Sequence, residues 1–316
     1  MGARGLLHRL RGPTGGPATI TPMRVAVIDI GSNTARLLVA AKRGPDVRPI
    51  REERAYLGLG AEIVRHGAVP EHKLAEAAAI SRRYAGVARK SGATRIEVLV
   101  TAPGRQGRDP ERLVEALARA AGVSVRVLSA EEEGELAYRG ATAGADPRSG
   151  TVAVCDIGGG STEIAVGIPP APPSWLRSLD LGALRLTAQT LPSDPPTSAE
   201  LGEAQAAAER CLADVVPPMP QTAYAVGGSA RALTKVAGKR TLGERELTQA
   251  LELVSARRAA KIAKAYGLDE ERARVLPAGA IILRAVALRL GVPLELGRGG
   301  LREGAAASLL AELAAA

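Results

Sequence analysis

Three observations predict an α/β chain of two domains that close on a cleft. At 316 residues with 46% hydrophobic content, the chain is long enough to bury two sizeable cores. Apolar strands alternate with amphipathic helices through its first half, the pattern of an α/β domain. The third observation is a repeat: Val25-Ala-Val-Ile-Asp29-Ile-Gly31-Ser-Asn33-Thr34-Ala-Arg-Leu-Leu-Val-Ala40 lies without gaps on Val152-Ala-Val-Cys-Asp156-Ile-Gly158-Gly-Gly160-Ser161-Thr-Glu163-Ile-Ala-Val-Gly167. Each copy reads as a strand, a small polar turn and a second strand. An acid at a strand end beside bare turn amides suits phosphate and its metal. Two such hairpins facing each other make a cleft.

The elements follow in order. Residues 1–22 carry Arg, Gly and Pro without a continuous apolar stretch, so they fail as a signal peptide. They read as a disordered basic leader or as a misassigned start ahead of Met23. After the first hairpin, 46–60 is a further strand and turn. Glu71–Lys90 places Leu74, Ala77, Ala78, Ile80, Tyr84 and Val87 near helical spacing. A strand at Arg95–Val100 leads into a loop at 101–108. Asp109 and Pro110 then supply an N-cap and a first-turn proline for a helix to Ala121. A strand at 123–128 precedes a helix opened by Ser129. The glycine-rich connection 144–150 leads to the second hairpin. Beyond it come a strand at 175–181, a turn at Gly182, a helix near 199–215 and a short strand at 223–226. From Leu242 the chain is mostly helical. The expected division is 23–129 for domain I and 130–299 for domain II, with a final helix, 300–316, packing back on domain I.

A net charge of +9 and a pI near 10 have two readings that stand level. One is a polyanionic partner. The other is a GC-biased genome, since only seven of the 42 basic residues are lysine and phenylalanine is absent. Cys155 and Cys211 fall in no recognisable motif and read as buried thiols of a reducing compartment, hence a cytoplasmic protein. His8, His66 and His72 are scattered, which leaves a histidine-bound zinc without support. The most apolar late stretch, 275–292, is interrupted by Arg284 and Arg289, so no membrane span is expected.

Each candidate site also has a plain reading. The first turn, from Asp29 through Gly31, Ser32 and Asn33 to Thr34, offers a carboxylate, two hydroxyls, an amide and a flexible backbone; Asp-x-Gly turns are common. In the second, Gly158, Gly159, Gly160 and Ser161 lie between Asp156 and Glu163. Three adjacent glycines are conformationally costly, and close approach to a ligand would explain them. Asp156 and Glu163 could share one magnesium, directly or through water; a tight hairpin with a solvent-facing Glu is the rival. In Ser129-Ala-Glu131-Glu132-Glu133, Glu132 completes a capping box and Glu131 suits the helix dipole. Glu133 has neither explanation. A carboxylate there could orient and deprotonate water, though its residue type alone favours a surface acid. Arg105 could clamp phosphate, against a solvated default. Gly227, Gly228 and Ser229 open a helix whose amides could hold an anion, or form a simple strand-to-helix turn.

Together these residues resemble the exopolyphosphatase / guanosine pentaphosphate phosphohydrolase (Ppx/GppA) family of the actin-like ATPase superfamily. The resemblance covers roughly 23–310. It rests on Asp29-Ile-Gly-Ser-Asn33-Thr, Ser129-Ala-Glu-Glu-Glu133, Asp156-Ile-Gly-Gly-Gly-Ser-Thr-Glu163, Leu181-Gly182-Ala-Leu-Arg-Leu-Thr187 and Gly300-Leu-Arg-Glu-Gly304. Actin, sugar kinases and heat-shock ATPases share the paired hairpins but lack the glutamate cluster and the Leu-Arg-Glu-Gly ending together. The family implies two ribonuclease-H-like domains flanking a phosphate-binding cleft. It implies Glu133 as catalytic base, Asp156 and Glu163 as magnesium-associated acids, and Arg105 as a phosphate ligand. Asp29 is grouped with the metal acids, and the turns at 31–34, 158–161, 182–183 and 227–229 with the phosphate contacts. The loop at 101–107 departs from the commoner alanine-rich version, and the chain lacks the extra C-terminal helical region of longer members.

The expected reaction is magnesium-dependent hydrolysis of a terminal phosphoanhydride of inorganic polyphosphate, with guanosine pentaphosphate as the alternative substrate and a homodimer as the family-based assembly. From other classes, a non-hydrolysing actin-like nucleotide switch is opposed by the acid at 133. A nucleic-acid binder is opposed by an aromatic content of only 2%, which leaves few stacking platforms.

Overall fold

The computed structural model describes residues 23–43, 46–146 and 150–315; the leader at 1–22, part of the connection 144–150 and Ala316 lie outside them. β1 (Arg24–Ile30) and β2 (Thr34–Arg43) form the first hairpin, and β3 (Asp46–Tyr56) continues it antiparallel. Then come α1 (Leu59–His66) and α2 (Glu71–Lys90). β4 (Arg95–Val100) runs parallel to β1; α3 (Pro103–Gln106) and α4 (Pro110–Ala121) lead to β5 (Val125–Val127), parallel to β4. The first sheet therefore has the order β3-β2-β1-β4-β5.

α5 (Ala130–Thr142) crosses to the second half. There β6 (Val152–Ile157), β7 (Thr162–Gly167) and β8 (Trp175–Leu179) repeat the antiparallel meander. α6 (Ala183–Thr190) and α7 (Ser198–Leu212) precede β9 (Thr222–Val226), which is parallel to β6. Next are α8 (Gly227–Ala237), β10 (Thr241–Leu242), α9 (Glu244–Ser255), α10 (Ala259–Tyr266), α11 (Glu270–Arg274) and α12 (Leu276–Leu290). β11 (Leu294–Leu296) joins β9 in parallel, and α13 (Leu301–Ala315) ends the described chain. The second order, β10-β11-β9-β6-β7-β8, is the first with one added edge strand. The repeat in the sequence is thus a repeat of topology.

Both sheets are covered on two faces, which is why their central strands are continuous apolar runs. Ala26 and Ile28 of β1 face α2 and α4 through Leu74, Tyr84, Leu113 and Leu117, while Val25 and Val27 face Leu301, Ala305 and Leu309 of α13. Each leucine so buried contributes roughly 1.5–3 kcal/mol. In the second sheet, Ala153 and Cys155 face the large core around α12, and Val152 and Val154 face Tyr138 of α5. The stretch 275–292 is therefore a core helix, and among the described residues no helix is long and apolar enough to cross a membrane.

α5 and α13 pack directly on each other, joining the two halves. Glycines allow this close crossing. A Cβ at Gly140 would overlap the carbonyl of Gly300, and one at Gly304 would overlap the carbonyl of Leu136.

Several details differ from the sequence reading. The loop at 101–108 contains α3, and the turn at Gly182 opens α6, whose N-cap is a glycine without a capping side chain. Asp109 occupies its N-cap position with φ −125° and ψ 62° and makes no side-chain cap. β11, three residues long, is defined by pairing with β9 rather than by local pattern. Cys155 is buried as expected, whereas Cys211 is exposed on α7. Ser129 does form the expected capping box with Glu132, with Ser129 Oγ accepting from the Glu132 amide at 3.1 Å.

Gly140→Ala is expected to lose about 1–3 kcal/mol through backbone overlap, read from the urea midpoint. Gly202→Ala, in a helix position where a Cβ meets nothing within 4 Å, should instead gain up to about 1 kcal/mol. Equal effects would refute the crossing as the cause.

Candidate functional site

The two hairpin turns meet. A Cβ at Gly159 would lie 3.1 Å from the Asn33 backbone nitrogen, and one at Gly160 would overlap Ser32 Oγ. Side chains here would push the turns apart, so the glycines at 159 and 160 set the width of the cleft. Asp29, Gly31, Ser32, Asn33 and Thr34 line it from one domain, and Asp156, Gly158, Gly159, Gly160 and Ser161 from the other. Glu133 and Gly228 also line it.

Register accounts for the pairing of charged groups. Asp156 is directly opposite Glu163 on β6 and β7, and Asp29 directly opposite Arg36 on β1 and β2. Opposed residues of an antiparallel pair share a face. The duplication therefore sets an arginine in one half where the other carries a glutamate. Glu163 is buried behind the cleft lining; its Oε1 accepts from Ser178 Oγ at 2.8 Å, and its Oε2 is buried with no partner. Asp29 Oδ1 is likewise buried and unpartnered.

Glu133 projects from the first turn of α5 and is buried. Arg105 Nη2 donates to its Oε2 at 2.8 Å while Nη1 donates to the Leu128 carbonyl at 2.8 Å. Arg105 thus stands beside Glu133 and outside the cleft lining. Two other expected contacts also stand behind it. Gly182 backs the second turn: the amide of Ala183 donates to Gly158 O at 3.0 Å, and those of Leu184 and Arg185 to Gly159 O at 2.9 Å. Ser229 Oγ accepts from Arg272 Nη1 at 3.5 Å.

The acids share one electrostatic problem. Burial raises Glu133 to about 7, with Arg105 opposing and Asp156 and Asp29 adding to the rise. Burial and then Asp29 raise Asp156 to about 6. Glu163 is pushed well above the usual carboxylate range by burial, then by Glu133 and Asp156. Burial also raises Asp29, against the pull of Arg302 and Arg36. A divalent cation would relieve this repulsion, and the unpartnered oxygens of Asp29 and Glu163 fit such a guest. Among the described residues no three acidic, histidine or cysteine side chains form a ready-made metal cage. The donor set suits a hydrated magnesium held by one or two carboxylates.

Four arginines that the sequence does not single out as site residues line the same cleft: Arg36, Arg231, Arg272 and Arg302. Burial first, then Arg302, lowers Arg36 to about 10. Arg302 donates to Leu37 O at 3.3 Å and to Glu52 at 3.2 Å. Gly228 leaves room for Arg272, whose guanidinium a Cβ there would overlap. Gly227, at φ +90°, brings the backbone where a Cβ would lie 2.8 Å from Asp156 Oδ1. Arg36 was open to detection, since it matches Glu163 in the repeat. Arg302 stands inside the Gly300–Gly304 motif and Arg231 two residues past Ser229, so only Arg272 comes from a segment that no motif marks. A cleft that sets buried Arg272 and Arg302, half-buried Arg36 and exposed Arg231 opposite buried acids can hold a polyanion and activate water beside it.

Comparison with known proteins agrees with that chemistry. Residues 38–313 match the Ppx/GppA phosphatase family. The chain belongs to that family. Exopolyphosphatase 1 of Mycobacterium tuberculosis is 29% identical over 299 residues, covering 89% of this chain and 87% of its own. Exopolyphosphatase 2 of the same species is 32% identical over 192 residues, 58% of this chain and 59% of its own. The crystal structure of the Aquifex aeolicus Ppx/GppA family member superposes with a TM-score of 0.76 at 26% identity, covering 93% of this chain and 99% of that one. An exopolyphosphatase from Cytophaga hutchinsonii, at 19% identity and TM-score 0.82, shares the fold over 92% of this chain and 98% of its own. Membership makes this Ppx/GppA chain a hydrolase of the phosphatase type, built on the two-domain actin-like fold.

The raised acids give a sign for stability. A carboxylate whose folded pKa lies above its unfolded value stabilises below the unfolded pKa and loses that contribution as pH rises through the folded one. Without divalent cation, Asp156→Asn should therefore raise the melting temperature by a few degrees near pH 8 and by only about half as much near pH 5, where the window between 3.8 and about 6 is partly crossed. A gain of equal size at both pH values would show that charge is not the cause.

Proposed function

We propose that this protein hydrolyses the terminal phosphoanhydride of inorganic polyphosphate, releasing orthophosphate and a chain one phosphate shorter. The observation that carries this reading is the buried Glu133 carboxylate facing a cleft bounded by two glycine turns and four arginines. The exopolyphosphatase names of the mycobacterial relatives support the substrate class. The proposal extends to magnesium as the metal and, with both cysteines free, to a cytoplasmic setting.

In this reading the amides of Ser32, Asn33 and Thr34 and of Gly159, Gly160 and Ser161 cradle the terminal phosphates, and Gly228 opens the α8 side; the amides of Gly31 and Gly158 close their own turns instead, donating to Thr34 O and Ser161 O at 3.0 Å. Gly182 and Ser229 act from behind, by holding the second turn and Arg272. Arg36, Arg231, Arg272 and Arg302 supply positive charge where negative charge spreads over the transferring group. Glu133 accepts a proton from water as its oxygen attacks the terminal phosphorus and the bridging P–O bond breaks. Arg105 keeps that carboxylate turned toward the cleft and lowers its basicity against burial. Magnesium near Asp156, Glu163 and Asp29 would offset charge on the phosphates.

Glu133→Gln should keep the fold by circular dichroism and lower kcat by roughly two to four orders of magnitude. The base works only when ionised, so activity of the parent should fall as pH drops through about 7, and the residual activity of the variant should lack that limb. Phosphate release from polyphosphates of several lengths, guanosine pentaphosphate and ATP, each with and without magnesium, decides the substrate. Faster turnover of the pentaphosphate would replace polyphosphate as substrate, and nucleotide binding without any release would replace hydrolysis by a switch.

A further inference from the structure

The mouth of the cleft carries a second cross-domain contact, remote from Glu133. Asp269 sits at the N-cap of α11, where an aspartate ordinarily accepts from its own helix amides. Here it makes no side-chain cap. Its Oδ2 instead takes two donors from β3 of the other domain: Arg54 Nη2 and, at 3.1 Å, Tyr56 Oη. Arg54 and Tyr56 are two residues apart on one strand and so share a face; the Arg54 guanidinium lies 5.2 Å from the Tyr56 ring centre.

α11 also delivers Arg272, one helical turn beyond Asp269, into the cleft. Arg272 is nearly buried. Its guanidinium is bracketed by Ser229 of its own domain and the Tyr56 phenol of the other. With the lips apart, Tyr56 and Arg54 would leave and Arg272 would lose one wall. Side chains of Arg54 and Asp269 are 41% and 45% exposed, so the bond is weak enough to open. Elsewhere between the domains, Gln106 Nε2 donates to the Gly160 carbonyl at 3.3 Å and to the Asp180 carboxylate, a tie that does not involve Asp269.

We propose that Asp269 is a positioning residue for Arg272: by gripping Arg54 and Tyr56 across the mouth, it seats that arginine against the substrate's phosphates when the domains close. The kinetic part rests on the phosphoanhydride-hydrolase reading above; the conformational part does not.

The test uses the full chain with tripolyphosphate as probe and the variants Asp269→Asn, Asp269→Glu and Tyr56→Phe. Asp269→Asn should raise KM about three- to tenfold with kcat within about twofold of the parent. Asp269→Glu should recover part of the loss, and Tyr56→Phe should show a smaller shift of the same kind. Small-angle X-ray scattering without substrate should give Asp269→Asn a larger radius of gyration than the parent, at an unchanged melting temperature. A parental KM and radius in Asp269→Asn would overturn the proposal, as would losses in kcat that merely follow a lowered melting temperature. If the parent releases no phosphate from tripolyphosphate, from longer polyphosphate or from guanosine pentaphosphate, the hydrolase reading fails, and the scattering comparison still decides whether Asp269 holds the mouth closed.

Discussion

The close approach of two turns is the constraint on which the rest depends. Gly159 and Gly160 touch Ser32 and Asn33 across the cleft, and that contact is possible only without side chains on the glycine turn. It sets Asp29 and Asp156, each at the end of a first strand, within electrostatic reach of each other. Everything around the turns maintains this distance. The N-terminal amides of α6 hold the carbonyls of the second turn from below, and α5 and α13 cross between the domains on glycine contacts.

Forcing buried acids together has an energetic cost, and the surroundings offset it only in part. Arg36 and Arg302 lower Asp29, and Arg105 lowers Glu133, yet burial dominates and all the acids remain raised. A folded state that retains such groups is maintained for binding rather than for stability. The repeat adds a division of labour. One half carries Arg36 at the position where the other carries Glu163, so a symmetric scaffold presents an asymmetric charge pattern.

Most strands, α2 and the capped start of α5 were legible in the sequence, because continuous apolar runs, helical spacing and a Ser-x-x-Glu box are local signals. The acids of the cleft were legible because the repeat aligned Asp29 with Asp156 and the family resemblance singled out Glu133. The arginines did not stand out as site residues, although Arg36 belongs to the repeat and Arg302 to the Leu-Arg-Glu-Gly motif. In a chain so rich in arginine, composition hides the four that matter, and their convergence comes from β2, α8, α11 and α13, which no local pattern joins. The same limit applies to Gly182, which the family resemblance set among the phosphate contacts, and to Ser229, at a helix start that could hold an anion; tertiary packing sets both behind the cleft. Short elements such as α6 and β11 owe their form to neighbours rather than to their own residues.

The return of α13 to the first sheet has a consequence for biosynthesis. Val25, Val27 and Leu38 are covered by Leu301, Ala305 and Leu309, residues synthesised only after the whole second sheet. Until then one face of the N-terminal sheet stays open, while the second half can assemble around α12 from sequence that is already contiguous. Vectorial folding therefore inverts chain order here: the first domain begun is the last one finished, and a stalled or nicked product would present an uncovered apolar sheet to chaperones and proteases.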